Sequence, residues 1–328
     1  MTDGIRLLTT EDIQKAISMS EAIGLMKDAF IQLSAGVASV PLRTKIEIPQ
    51  ANGTALFMPA YLPKNEQFSI KTVSLFKNNT SRGLPLIHAL VVLFDAIDGK
   101  PLALMNGETL TALRTGAASG LATDLLARKD SHIAFIFGAG TQGRSQLEAI
   151  CCVRTISEAY IFDIHRDVAE IFSHEMSQKL NLPVTVADTK DILRRADVIC
   201  TATTSSQPVF QHAYLKSGVH INAVGSYKPN EREIPGETIQ KAKIIVDQRQ
   251  ACLSEAGDIV IPIQEGLITP EYIYAEIGEI ASGIKQGRST QGEITLFKSV
   301  GNAVQDLAVA SRLLENATKL SLGQAVGL

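Results

Sequence analysis

Apolar residues recur at Ile23, Met26, Ala29, Phe30 and Leu33, the three-and-four spacing of one helix face, which predicts a helix over 20–33. The pattern then turns strand-like. "RTKIEI" (43–48), "ALFMPA" (55–60), "SIKTVSLF" (69–76) and "IHALVVLFD" (87–95) alternate with the turn-formers "NG", "LPKN" and "IDGKP". Strands joined by short turns predict antiparallel pairing and a small sheet-rich domain. From about residue 115 the texture changes. "IAFIF" (133–137) is apolar throughout, as a strand buried on both faces requires. "AYIFD", "VTVA", "DVICTAT", "VHINAV" and "KIIVD" are further strand candidates, with helical patterns between several of them, as in "VAEIFSHEMSQKL" and "TKDILRRA". This alternation predicts a parallel, doubly wound α/β sheet. The last periodic segment, "GNAVQDLAVASRLLENATKL", reads as an amphipathic helix that folds back across the first domain.

"IAFIF" runs directly into Gly138-Ala139-Gly140-Thr141-Gln142-Gly143, and helix formers follow. A glycine triplet alone is a weak signal, but here strand, glycines and helix stand in order. Asp163, at the end of the next strand, lies twenty residues beyond Gly143. Each part has a task in dinucleotide binding. Gly138 permits the tight turn, Gly140 lets backbone approach a pyrophosphate, and Gly143 lets helix and strand pack closely. The helix N-terminus offers free N–H groups and partial positive charge to phosphate. Asp163 would accept hydrogen bonds from the adenosine ribose, which favours NAD(H) over NADP(H); its other reading is a helix cap. Arg166 and His165, close by, soften that preference.

Composition changes the picture mainly by exclusion. At 328 residues with 45% hydrophobic content, the chain can bury two cores. A formal net charge of −3 gives no reason to expect nucleic-acid or membrane-surface binding. Six His residues lack metal-ligand spacing and the four Cys form no CxxC pair, so no metal site is expected. Such cysteine usage suits a reducing cytoplasm. Asp3 and Glu11 stand where a secretory leader would be apolar, and the least charged stretch, 109–123, holds Arg114, so no membrane span is read there.

Three cations stand among apolar or small residues. Lys71 shares a strand face with Val73 and Leu75, so it either snorkels to an edge or lines a cleft. Arg114 lies among Ala112, Gly116, Ala117, Ala118 and Gly120, where it meets a ligand or satisfies helix C-terminal carbonyls. Arg43 alternates with apolar residues and by itself reads as a solvent-facing side chain. Together the three suit a clamp for a substrate carboxylate.

The stretches "ALFMPAYLP", "IKTVSLF", "GKPLALMNGETLTALRTGAASGLA", "FGAGTQGRSQLEA", "HINAVGSYKPNEREI" and "FKSVGNAVQDLA" resemble the ornithine cyclodeaminase/mu-crystallin family, over about residues 40–310. The resemblance implies a Rossmann domain, residues 115–301, inserted into a mixed α+β substrate-binding and dimerisation domain of residues 1–114 and 302–328. It implies a homodimer, and hydride exchange between a nicotinamide and an amino-acid alpha carbon. Carried over by motif, Arg43, Lys71 and Arg114 hold the substrate carboxylate or border the nicotinamide. Thr201, Ala202, Val224, Gly225 and Ser226 line the cofactor, and Ser299 and Val300 lie near nicotinamide and substrate.

One position departs from the pattern. Cyclodeaminases and the related alanine dehydrogenase keep an Asp where this chain has Tyr227, within Val224-Gly225-Ser226-Tyr227-Lys228-Pro229. A phenol, with a reference pKa of roughly 10, is a poor base at neutral pH. Cyclodeamination needs a base, whereas reduction of a preformed imine needs chiefly orientation, a hydride and a proton. The expected activity is therefore NADH-preferring reduction of an alpha-imino acid, with NADP possible. Δ1-pyrroline-2-carboxylate to L-proline leads, with Lys71, Arg114 and Tyr227 as the catalytic candidates. The alternatives are ornithine cyclodeaminase, alanine dehydrogenase, an open-chain imine reductase and a non-catalytic binding protein.

Overall fold

A computed structural model describes residues 4–327; Asp3 lies outside them. The N-terminal part gives β1 (Ile5–Leu8), α1 (Thr10–Ala16), α2 (Met19–Ser34), β2 (Thr44–Ile48), β3 (Gly53–Leu62), β4 (Gln67–Phe76), β5 (Ile87–Asp95), β6 (Pro101–Asn106) and α3 (Gly107–Leu126). The middle alternates through β7 (Ile133–Phe137), α4 (Thr141–Val153), β8 (Glu158–Phe162), α5 (Arg166–Leu180), β9 (Val184–Val186), β10 (Val198–Thr201) and β11 (His220–Ala223). It continues with α6 (Gly236–Lys241), β12 (Lys243–Val246), α7 (Arg249–Glu255), α8 (Gly257–Gln264), β13 (Ile273–Glu276), α9 (Ile277–Ala281) and β14 (Thr295–Lys298). The chain closes with α10 (Ala303–Lys319) and β15 (Gln324–Val326). It divides into two compact units, Met1–Arg114 with Asn302–Leu328, and Thr115–Gly301.

The first unit is built on a seven-stranded sheet in the order β15-β1-β6-β5-β4-β3-β2. β2 to β6 pair antiparallel in succession, while β1 joins β6 in parallel. Because strand residues alternate between faces, the register sorts the sheet cleanly. Met58, Ala60, Ser69, Lys71, Val91 and Leu93 share one face and are buried. α10 packs on β3, β4 and β5 and against α2, burying Leu307, Ala310, Leu313 and Ala317. The other face carries Ile46, Phe57, Phe68, Ile70, Leu90, Val92 and Phe94, all half-buried or exposed.

The second unit is a doubly wound Rossmann sheet of eight strands, β13-β12-β14-β11-β10-β7-β8-β9, with every pairing parallel. Apolar side chains fill both sides. Phe135, Phe137, Ile199, Ile221 and Leu296 belong to one cluster, and Ala134, Ile136, Ile161, Phe172 and Cys200 to the other. Strand order reverses between β7 and β10, the switch point at which such sheets open a crevice at the carboxyl ends of their strands. Two local expectations differ from the observed elements. "TKDILRRA" forms only a 3₁₀ turn, Lys190–Arg194, since the crossover from Val186 to Val198 is short and one turn suffices to bury Leu193. β13 and β14 carry no clear apolar run, because β14 buries the polar Thr295 and Lys298 beside Leu296 and Phe297.

Candidate active site

In the Rossmann unit the glycines meet the demands of their turn. Gly138 has φ +99°, and a Cβ there would lie 2.4 Å from the Ala202 carbonyl oxygen. A Cβ on Gly143 would lie 2.0 Å from the Gly138 oxygen, so helix and loop touch at that point. A Cβ on Gly140 would meet nothing within 4 Å, which leaves open space beside the N-terminus of α4 for a phosphate. Thr141 opens that helix, and the Oε1 of Gln142 is buried without a hydrogen-bond partner. These residues fit a dinucleotide.

Asp163 accepts from the Ala139 N–H at 2.8 Å and from the His165 N–H at 2.9 Å. It therefore braces the glycine loop as well as the turn ahead of α5, and its remaining lone pairs are open to hydroxyl donors. Arg166 is turned to Glu170 and Asp188, at 3.0 and 2.6 Å, and so is already neutralised.

The loops after β10, β11 and β14 hang on buried carboxylates. Glu233 accepts from Thr201 Oγ1 (2.9 Å), from Thr203 N and Oγ1 (both 2.7 Å), and from Gly225 N (2.9 Å) and Ser226 N (3.2 Å). Burial and neighbouring Asp258 push its pKa up, against that hydrogen bonding. A side chain at Gly225 would strike Glu233, its Cβ lying 2.4 Å from Oε2. Asp258 takes the backbone N–H groups of Glu233 and Ile234 and pairs with Lys298 Nζ at 2.8 Å. Lys298 Nζ also donates to the Ser226 carbonyl at 2.6 Å. Asp247 accepts from Ser299 Oγ (2.7 Å), Val300 N (3.0 Å) and Gly301 N (2.9 Å). Thr201 thus ends β10, and Ala202, Val224, Gly225, Ser226, Ser299 and Val300 lie in the loops at the carboxyl edge of the sheet.

In the first unit, Lys71 and Arg114 meet at a residue the sequence reading missed. Lys71 Nζ lies 2.8 Å from Asp306 Oδ2, and Arg114 Nε donates to Asp306 Oδ1 at 3.0 Å. Arg114 Nη1 donates to Gln305 Oε1 at 2.6 Å. Lys71, Arg114 and Asp306 are all nearly inaccessible, at 2%, 5% and 0%. Lys71 therefore does not snorkel, and Arg114, in the middle of α3, does not serve helix C-terminal carbonyls. Burial pushes the Lys71 pKa down and the charges of Arg114 and Arg43 add to this, while Asp306 pulls the other way, leaving it at about 8. Arg43, half-buried just ahead of β2, thus acts on Lys71 electrostatically.

The Ornithine cyclodeaminase/mu-crystallin family model matches residues 5–321. The chain belongs to that family. It is 38% identical over 322 residues to the Δ1-pyrroline-2-carboxylate reductase of Bacillus cereus (strain ZK / E33L), spanning 98% of this chain and 99% of that one. Among solved structures it is similar to the Thermococcus litoralis Δ1-pyrroline-2-carboxylate reductase in complex with NADH and L-proline. The identity is 45% and the TM-score 0.94, over 98% of this chain and 100% of the other. An archaeal alanine dehydrogenase dimer with bound NAD is 35% identical with a TM-score of 0.92, over 98% of both chains.

Within this family member, Tyr227 is 37% exposed, and the Lys228 ammonium stands 5.5 Å from its ring centre. Lys228 Nζ also pairs with Glu231 at 2.8 Å, so that carboxylate is engaged. Asp306 had a readable signal: an acid on the apolar face of the final helix, in a chain with cations on two other apolar faces. Glu233, Asp247 and Asp258 had none, since their partners are backbone N–H groups, hydroxyls and Lys298, which only the folded loops bring to them.

Proposed function

We propose that this chain is an NADH-dependent reductase that converts Δ1-pyrroline-2-carboxylate to L-proline. The observation that carries it is the buried cation array in a chain so similar, over its whole length, to reductases of that substrate. Lys71 and Arg114 share one carboxylate, Asp306, which leaves positive charge for one substrate carboxylate. The loops around Gly138–Gly143, Asp163, Thr201–Ala202, Val224–Ser226 and Ser299–Val300 would hold the dinucleotide. NADH, when bound, supplies the hydride that reduces the C=N carbon. The carboxylate clamp fixes the plane of the imino acid, and orientation of this kind supplies much of the rate. Lys71, with a pKa of about 8, is the group suited to pass a proton to the imine nitrogen at neutral pH. Tyr227 or a water beside it would assist.

The absence of a carboxylate at 227 separates this reading from cyclodeamination, which must deprotonate an ammonium. Purified protein with NADH is expected to reduce pyrroline-2-carboxylate, followed at the NADH absorbance, much faster than it releases ammonia from L-ornithine with NAD. Rapid ammonia release from ornithine would reverse the assignment. The half-exposed apolar sheet face of the first unit supports a homodimer. The four cysteines are all free, which supports a reducing, cytoplasmic setting. No helix among the described residues is long and apolar enough to cross a membrane.

A further inference from the structure

We propose that Asp306 is a positioning residue of the substrate site: its bridging carboxylate fixes Lys71 Nζ and the Arg114 guanidinium side by side and directs their unspent N–H groups at one incoming carboxylate. This rests on the reductase reading above. Both carboxylate oxygens are committed, Oδ1 to Arg114 Nε at 3.0 Å and Oδ2 to Lys71 Nζ at 2.8 Å. Gln305, the adjacent residue, takes Arg114 Nη1 through Oε1, which turns its own buried Nε2 into a donor without a partner. Arg114 Nη2 has no hydrogen-bond partner among the described residues, and Lys71 Nζ meets Asp306 Oδ2 as an ion pair. The array is thus held by Asp306 and Gln305, with donor capacity left over. Asp306 lies in the first turn of α10, where the helix N-terminus stabilises its negative charge.

The same carboxylate governs the proton. The charged groups facing Lys71 are Arg114 from α3, Asp306 from α10 and Arg43 from the segment ahead of β2. Its cross-strand neighbours on β3 and β5, Met58 and Val91, carry no charge. Two cations and burial favour neutral lysine; Asp306 alone favours the ammonium. In the reduction, the imine carbon receives the hydride and the nitrogen keeps the electron pair of the broken π bond. That pair takes a proton from Lys71 Nζ, which water then reprotonates. Without Asp306, the Lys71 pKa falls below its present value of about 8, and the ammonium that donates the proton is depleted.

The test is the pH dependence of kcat/KM for pyrroline-2-carboxylate in the wild type, Asp306→Asn and Asp306→Glu. Asp306→Asn is expected to move the alkaline limb down by roughly one to three pH units, the shift an opposite charge at this range commands. NADH affinity should stay close to wild type. Asp306→Glu, which keeps the charge, is expected to keep the limb near its wild-type place while lowering kcat/KM. An unmoved limb in Asp306→Asn, or an equal shift in Asp306→Glu, overturns the proposal. Calorimetric binding of pyrrole-2-carboxylate to cofactor-free wild type provides a second reading that needs no variant to fold. Affinity should fall as pH rises through about 8, and a flat profile from neutral to strongly alkaline pH also overturns it. A wild type that binds with this profile yet reduces no imine would refute the substrate assignment and leave the role of Asp306 standing.

Discussion

At the scale of single residues, the cofactor preference turns on Asp163. Its carboxylate is held by Ala139 N–H and His165 N–H, so it cannot swing away from an arriving ribose without breaking the glycine loop. Arg166, the nearby arginine that could welcome a 2′-phosphate, is spent on Glu170 and Asp188. A phosphate beside an unrelieved carboxylate suffers repulsion and loses hydration. NADH is therefore expected to bind more tightly than NADPH in a fluorescence titration, and Asp163→Ser should narrow the gap. Equal affinities in the unmutated protein would remove the basis for this preference.

At the scale of elements, the loops proposed to hold the cofactor owe their shape to carboxylates buried beneath them. Strands β10 and β11 end side by side, and the segments beyond them carry more N–H groups than they can satisfy between themselves. Glu233 takes the N–H groups of Thr203, Gly225 and Ser226 together with the hydroxyls of Thr201 and Thr203. Glu233→Gln would set an NH2 group against several of them. Leaving buried donors unpaired costs on the order of 1–3 kcal/mol. The expected result is a lowered Tm together with weakened NADH binding, while an unchanged Tm and Kd would show that the loops hold themselves. Gly225 belongs to the same arrangement, since only a residue without a Cβ fits against Glu233.

At the scale of the whole molecule, one face of the first unit's sheet lacks, among the described residues, a cover of the kind α10 gives the other. Ile46 and Leu90 are 50% and 48% exposed on it, and Phe68 stacks on Phe94 with centroids 4.7 Å apart beside them. A second copy of the chain is the proposed cover, with β2 at the sheet's edge included. Light scattering after size exclusion should give a dimer mass for the wild type and a monomer for Ile46→Glu/Leu90→Glu. A dimer that survives both charges would place the interface elsewhere.

The sequence by itself determined the fold class, the glycine loop and its acid partner, because each follows from local rules: periodicity, the steric freedom of glycine and a fixed offset to Asp163. It also brought out Lys71 and Arg114 as cations among apolar neighbours. It left open whether either reached solvent, since strand or helix spacing gives a side chain's face and not what lies against that face. Only the tertiary structure decided that question, by bringing Asp306 from nearly two hundred residues beyond Arg114 to stand between the two. The carboxylates that hold the cofactor loops were hidden for the same reason. A buried charge is recognised by its partner, and the partners here are distant in sequence and close only in the fold.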